Sequence, residues 1–143
     1  MVALPEHRAT RDDTLAAMRD GAGVICQAVL DDGRFGGRAD FLLRTDGASD
    51  LGDYHYEVVD TKLACETRAG TVLQLCLYAE LVGEMQGLPV ERVMVVSPGK
   101  SFVAEVFRTA HYWAYYQLIK RRLGKAVDEV AAETYPDGSC DDL

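Results

Sequence analysis

Short runs of apolar residues separated by Gly, Asp and Pro recur along the chain, a pattern typical of strands joined by turns. The runs "GVICQAVL" (23–30) and "GGRADFLLRT" (36–45) flank a turn at Asp32–Gly33, which predicts a β-hairpin. The polar stretch 45–53 predicts a loop, and "YHYEVVDT" (54–61) predicts a third strand. The chain is therefore expected to enter its sheet with three consecutive strands.

Longer stretches with apolar residues at helical spacing predict helices. Residues 9–20 suit a helix that Thr10 or Asp12 would cap, and 68–87 are long and apolar enough for a buried helix. Three later segments add two strands and a closing helix: 91–99, 101–108 and 109–133. The order α-β-β-β-α-β-β-α has no internal repeat. It predicts one α/β domain over 1–143, with a mixed central β-sheet flanked by α-helices.

Three charged residues lie within runs that otherwise look like buried strands. An unpaired charge there costs several kcal/mol, so Asp40, Asp60 and Lys62 need an explanation. Alternation puts Asp60 and Lys62 on one face of the third strand, and an antiparallel neighbour would bring Asp40 close to Asp60. Two adjacent carboxylates require a proton or a cation between them, and their hard oxygens suit Mg²⁺ or Mn²⁺. An ion pair that only stabilises the sheet explains these residues equally well.

Polar residues at helical spacing interrupt the apolar stretch "TVLQLCLYAELV" (71–82). Thr71, Gln74 and Tyr78 share one stripe of a helix that is expected to be largely buried. Buried polar groups need hydrogen-bond partners. Those partners are either the carboxylates and lysine of the strands, a bound phosphate, or neighbouring backbone.

The segments "GRADFLLR", "YEVVDTKLA" and "QLCLYAELV", in this order, resemble the RecB-type branch of the PD-(D/E)XK nuclease superfamily. That branch carries a G-x-x-D strand, a D/E-x-K strand and a Q-x-x-x-Y helix. The resemblance covers residues 21–82 by motif and the remainder by element order. Three motifs in the expected order on the expected elements are much more specific than any one of them.

The resemblance implies a restriction-endonuclease-like core and metal-dependent hydrolysis of phosphodiester bonds in DNA, with exonuclease action in repair, recombination or defence. By motif, Asp40 and Asp60 would be ligands of Mg²⁺ or Mn²⁺, together with the backbone carbonyl of Thr61. Lys62 would position the attacking water and stabilise the transition state. This chemistry matches what two carboxylates and a lysine can supply around a divalent ion.

The resemblance also assigns Gln74 and Tyr78, which would line the site or touch the nucleic acid. Many relatives add a histidine or acidic ligand from an N-terminal helix, and four residues here are candidates without a clear motif match: Glu6, His7, Asp12 and Asp13. Some relatives bind an iron-sulfur cluster through a cysteine-rich segment after a "YP" pair. This chain has "YPDGSC" with a single cysteine, and no cluster is expected.

The amino-acid composition indicates how the protein would meet its nucleic-acid substrate and where it would be found. The formal net charge of −8 disfavours a protein that holds nucleic acid by bulk electrostatics, so a helicase or another domain is expected to deliver the DNA. The four cysteines form no CxxC pair, which indicates neither a zinc site nor a disulfide framework. No apolar run is long enough for a membrane span and no signal-peptide pattern is present, which favours a cytoplasmic protein or part of one.

The stretch "HYWAYYQLIKRRLGK" (111–125) mixes aromatic and basic residues, as surfaces that bind single-stranded nucleic acid do. Core packing is the stronger interpretation, because five residues at helical spacing form an apolar band: Tyr112, Tyr115, Tyr116, Ile119 and Leu123. Arg121 and Arg122 are expected at the rim, where they would guide DNA. A second function remains open, that of a nuclease-like domain without activity that binds nucleic acid or protein.

Overall fold

A computed structural model describes residues 1–4, 8–62, 69–97 and 103–134 of the chain. The strands are β1 (Val2–Ala3), β2 (Val24–Asp31), β3 (Gly36–Ser49), β4 (Gly52–Thr61), β5 (Arg92–Ser97) and β6 (Val103–Arg108). The helices are α1 (Arg11–Arg19), α2 (Ala69–Gln86) and α3 (Trp113–Thr134), with a short 3₁₀ helix at Thr109–His111. No helix in these ranges is long and apolar enough to cross a bilayer.

The six strands form one mixed sheet in the order β1-β2-β3-β4-β5-β6. The pairs β1–β2 and β4–β5 are parallel, and the other three pairs are antiparallel. Each parallel pair is joined by a helix, α1 in the first case and α2 in the second, as parallel connections require. The predicted α/β class, mixed sheet and element order are confirmed, with β1 and the 3₁₀ helix as additions.

One face of the sheet carries the hydrophobic core. A row of paired residues runs across it from β2 to β6: Ile25, Leu42, Val58, Val93 and Phe107. Met18 of α1 and Leu75 of α2 belong to the same buried cluster as this row. Tyr116 of α3 packs on Val72 and Cys76 of α2. All three helices therefore lie on the same side of the sheet.

The predicted loop over 45–53 is wrong, because β3 and β4 extend into a long hairpin that turns at Asp50–Leu51. Gly47 and Gly52 adopt positive φ angles of 140° and 142°, which a residue with a side chain rarely does. The Ser49 hydroxyl donates to the Tyr54 carbonyl at 2.6 Å and accepts from the Leu51 N–H at 3.1 Å. Polar composition here reflects an exposed hairpin and not an irregular loop.

The predicted apolar band of α3 is correct only in part. Tyr116 is buried, Tyr112 and Ile119 are half-buried, but Tyr115 and Leu123 are exposed. The reason is that α3 contacts α2 through one narrow stripe, so residues off that stripe remain in solvent. The predicted tail at 135–143 lies outside the described residues.

A polar cluster attaches α3 to α2. Glu80 of α2 accepts hydrogen bonds from the Tyr116 hydroxyl and from Lys120 Nζ, the latter at 2.7 Å. Burial raises the pKa of Glu80, but Lys120 and Tyr116 outweigh this and bring the pKa below its ordinary value of 4.5. The charged carboxylate is thus more stable in the folded chain than in the unfolded one.

We expect Glu80→Gln to lower the free energy of unfolding by about 2 kcal/mol at pH 7, because it leaves Lys120 half-buried without its counter-charge. Since the folded pKa is depressed, this difference should be complete above about pH 5 and should shrink as the pH falls through the folded pKa. Urea unfolding across this range tests it, with Glu84→Gln, an exposed glutamate on the same helix, as control. A constant difference at all pH values would contradict the assignment.

Candidate active site

Two carboxylates meet where β3 and β4 separate. The regular pairing of these strands ends at Phe41 opposite Val59, and the same register continued by one residue sets Asp40 opposite Asp60. Beyond this point β4 remains paired with β5. Asp60 pairs with Val95, and Thr61, the last residue of β4, is also paired with β5. The structure thus brings together the two aspartates that the sequence singled out.

Asp40 is held by the backbone and side chain of Thr61. Its Oδ2 accepts the Thr61 N–H at 2.9 Å and the Thr61 hydroxyl at 2.7 Å. Burial by itself raises the pKa of Asp40, but the Asp60 carboxyl group and the two Thr61 donors stabilise the charged form, and the net shift is downward. Asp40 is therefore the carboxylate of the pair that keeps its charge more readily.

Asp60 has the opposite environment. Its side chain is only 6% exposed, and burial, followed by the proximity of Asp40, raises its pKa above the ordinary value. Lys62 Nζ lies 2.8 Å from Asp60 Oδ2, yet this buried oxygen accepts no well-aligned hydrogen bond among the described residues. Asp60 Oδ2 is therefore the oxygen that faces Lys62, and the two groups form a close contact of opposite charges.

Lys62 supplies the counter-charge of the pair. Its pKa is raised, by Asp60 foremost and also by Asp40 and Tyr78, although burial acts against the shift. The ammonium group therefore stays protonated, with about a third of the side chain (32%) in solvent. The Lys62 N–H donates to the Val96 carbonyl at 3.1 Å and so ties the chain at this point to β5.

The helix α2 closes one side of this site through Tyr78. The Tyr78 ring lies so close to the backbone of β3 that a Cβ at Gly37 would fall 2.5 Å from it. Only glycine fits there, which accounts for the first position of the G-x-x-D segment. Gln74 donates to the Tyr78 hydroxyl at 2.9 Å. The expected buried stripe is wrong for Gln74, which is exposed, whereas Tyr78 is buried.

Sequence reasoning missed Gln27 on β2. Its φ of +57° is the only positive value of a non-glycine residue in the described ranges. The regular pairing of β2 with β3 is interrupted there, and Gln27 Nε2 lies 3.5 Å from Asp40 Oδ1. The core positions Ile25 and Ala28 lie three residues apart instead of two as a result. A lone polar residue in an apolar run was the available signal.

Other predicted residues lie away from the carboxylates. Arg121 and Arg122 are exposed on α3, and Arg121 lines a groove with Arg34 and Phe35 at the β2–β3 turn. No hydrogen bond or ion pair joins either arginine to the two aspartates in the described part of the chain. Among the N-terminal candidates, Asp13 accepts the Thr10 N–H at 2.8 Å and so caps α1. Asp12 is exposed on α1, and the candidates Glu6 and His7 lie outside the described residues.

The donor set fits a hydrated divalent cation. Within the described ranges no group of three or more His, Cys, Asp or Glu side chains converges on one point. Mg²⁺ commonly binds through one or two carboxylates and keeps several waters, so Asp40, Asp60 and a backbone carbonyl such as that of Thr61 form an adequate set. The two carboxylates carry one more negative charge than Lys62 balances, and this excess provides the attraction.

Comparison with known proteins gives no assignment: no family model, no curated protein and no solved structure matches the chain.

We expect Asp60→Asn to raise the free energy of unfolding by about 1 kcal/mol at pH 7 in the presence of EDTA, because it removes one of two like charges. The folded pKa of Asp60 is raised, so the cost of its charge is absent below the ordinary value of 3.8 and grows as the pH rises through the folded pKa. The gain should follow the same course in urea unfolding. The exposed Asp53→Asn serves as control, and a destabilised Asp60→Asn protein would contradict the interpretation.

A second prediction concerns Gln27. Because its backbone lies in the left-handed region, Gln27→Gly should be more stable than Gln27→Val by about 1–2 kcal/mol, the reverse of the usual order in a strand. The same pair at Val29, a neighbouring position of β2, is the control and should favour valine. Urea unfolding of Gln27→Gly, Gln27→Val, Val29→Gly and the wild type measures the effect, and a preference for valine at both positions would exclude strain at Gln27.

Proposed function

We propose that this protein is a divalent-metal-dependent nuclease of the RecB type, with the restriction-endonuclease-like core of the PD-(D/E)XK superfamily, and that its substrate is DNA. The observation that carries the proposal is the meeting of Asp40 and Asp60 at the point where two strands separate, with Lys62 Nζ 2.8 Å from Asp60. Two like charges in contact are costly to maintain when one of them, here Asp60, is buried, and such costs concentrate at functional sites.

The cost of the site argues against a purely structural ion pair. One lysine balances one carboxylate, so the group of three retains a net negative charge while Asp60 is almost fully buried. A sheet that needed only stability would gain from apolar residues at these positions. The pair is therefore best explained as a site for a cation, and Mg²⁺ or Mn²⁺ matches its oxygen donors.

A divalent ion held by Asp40 and Asp60 would lower the pKa of a bound water and polarise a phosphoryl oxygen. The side chains around the ion would provide the rest of the catalytic machinery. Thr61 fixes the orientation of Asp40 through its two hydrogen bonds. The Lys62 ammonium orients the attacking water and neutralises charge that develops on the phosphate oxygens. Water attacks phosphorus, the phosphorus–oxygen bond of the leaving group breaks, and that oxygen is protonated.

Tyr78 and Gln74 extend the site from the sheet onto α2. The Tyr78 hydroxyl accepts from Gln74, and the exposed amide of Gln74 is available to a substrate phosphate or to the attacking water. The net charge of −8 repels a polyanion at long range. We therefore propose that a helicase or another domain delivers the DNA strand to this site.

We expect wild-type protein to degrade labelled linear DNA, single- or double-stranded, in the presence of Mn²⁺ or Mg²⁺ and not in EDTA. Asp40→Asn, Asp60→Asn and Lys62→Met should each lower the rate at least about 100-fold, because each removes a group that acts on the transition state. Asp53→Asn should retain full activity.

Calorimetry with Mn²⁺ on the same proteins separates the alternatives. Binding by wild type that is lost in Asp40→Asn, together with cleavage, would support the whole proposal. Binding without cleavage would assign the site to a metal-binding module that needs a partner for activity. Absence of binding in wild type would favour a nuclease-like domain that has lost catalysis and serves only to bind nucleic acid or protein.

A further inference from the structure

A groove lies between the C-terminal half of α2 and the start of α3. It is lined by residues of α2 such as Ala79, by Leu88 and Pro89 in the connection to β5, and by Ala110 and Trp113. Its volume is about 590 Å³, and its walls are mainly apolar. Sites for small molecules usually have volumes of about 300–1,000 Å³ and walls of this kind. None of the described residues of the candidate active site lines this groove.

The sequence of α2 leaves this space open. Ala79 and Gly83 lie one turn apart on the helix face that borders the groove, and neither has a side chain larger than a methyl group. Tyr116 of α3 packs closer to the start of α2, on Val72 and Cys76. The two helices therefore contact each other there, and a space remains beside the C-terminal half of α2.

The charged residues that line the groove, within the described ranges, are all glutamates: Glu80, Glu84 and Glu91. Lys120 neutralises Glu80 at 2.7 Å. Glu84 and Glu91 are exposed, and neither has an ion pair in the described part of the chain. Two carboxylates beside apolar walls thus lack a counter-charge, which a bound cation would supply.

Nearby charges outside the groove do not reverse its sign. Arg92 and Arg108 are register partners whose side chains point to the other face of the sheet, and Arg92 is bound to Glu57. Arg11 lies beyond Glu84, in a second cavity that two aspartates also line: Asp31 and Asp32. The dipoles of α2 and α3 offset each other, because the last turn of one and the first turn of the other both border the groove. Carboxylates therefore outnumber cationic side chains in and around the groove.

Trp113 adds an aromatic surface to the same groove. It is the only tryptophan of the chain, and 37% of it is exposed. Its ring lies against that of Tyr116, with the two centroids 5.3 Å apart. The described lysines and arginines that lie over an aromatic ring are at other rings. Tryptophan attracts a cation to its ring face more strongly than tyrosine or phenylalanine does. The aromatic surface and the unpaired carboxylates therefore favour the same kind of ligand.

We propose that this groove binds a small organic cation, a molecule with an apolar body and a primary amine or quaternary ammonium group. The apolar walls accept the body, and the charged group meets the ring of Trp113 and the carboxylates of Glu84 and Glu91. A metal ion would gain nothing from the apolar walls, and an anion would be repelled. A neutral molecule would gain nothing from the two carboxylates. The proposal is independent of the nuclease activity proposed above.

The fluorescence of Trp113 reports occupancy directly, because no other tryptophan contributes to it. Three probes share a phenylbutyl body and differ in charge: phenylbutylamine, phenylbutanol and phenylbutanoate. We expect saturable binding of the amine at least about 10-fold tighter than that of the alcohol, with the anion weakest. Titration in about 150 mM NaCl screens the long-range attraction that the net charge of the chain exerts.

Two double variants locate the charge. Glu84→Gln with Glu91→Gln should weaken binding of the amine at least about 10-fold and leave that of the alcohol unchanged. Asp53→Asn with Glu129→Gln removes the same amount of charge at exposed positions outside the groove, and should leave binding of the amine unchanged. An equal loss in both double variants would reduce the effect to net charge and overturn the assignment.

A second pair of variants locates the apolar body without a change of charge. Ala110→Leu narrows the groove and should weaken the amine and the alcohol alike, by at least about 10-fold. Ala114→Leu makes the same change at an exposed position of α3 that does not line the groove, and should leave both unchanged. Circular dichroism should show both variants folded as wild type, because both alanines are exposed. Unchanged binding in Ala110→Leu would place the probes elsewhere and overturn the proposal.

Three other results would also overturn the proposal. A fluorescence titration without saturation, or equal affinity for the amine and the alcohol, would remove the cationic ligand. Tighter binding of the anion would reverse the sign of the site. A short peptide of alternating leucine and lysine that binds more than about 10-fold tighter than the amine would assign the groove to a segment of a partner polypeptide.

Discussion

The antiparallel register between β3 and β4 fixes which side chains enter the core and where the two aspartates meet. With Leu42 opposite Val58, one set of side chains enters the core, and with Phe41 opposite Val59 the other set forms the opposite face. The same register, continued to the end of the pairing, brings Asp40 against Asp60. A slip of one residue would exchange the two faces and separate the carboxylates, so core and site are specified together.

The helices occupy one side of this sheet, and this division gives its two faces different roles. On the helical side, α2 packs so closely that Tyr78 lies on the backbone of Gly37, which fixes the helix relative to β3 and to the candidate site. On the other side, a row of apolar residues from Cys26 on β2 to Val106 on β6 lacks a cover among the described helices. The candidate site and the uncovered apolar row thus lie on the same strands and on opposite faces of the sheet.

Charge is distributed in accordance with this division. The candidate site keeps an excess of negative charge, which Lys62 balances only in part, and this suits a cation. The uncovered face carries arginines and carboxylates together, because alternation places Asp31 on it as well as Arg38 and Arg108. The imbalance at the candidate site costs stability in the isolated chain, and a bound cation would relieve it.

Alternation and charge in apolar runs are local signals, and they predicted the order of elements, the mixed sheet and Asp40, Asp60 and Lys62 as candidate site residues. The sequence also indicated Gln74 and Tyr78 through helical spacing. Three other features are visible only in the folded chain: the strained backbone at Gln27, the two hydrogen bonds from Thr61 to Asp40, and the exposure of Leu123 on α3. These features depend on contacts between residues that are far apart in the chain. They also depend on which face of each element is covered. Both are matters of packing, which the local sequence pattern does not encode.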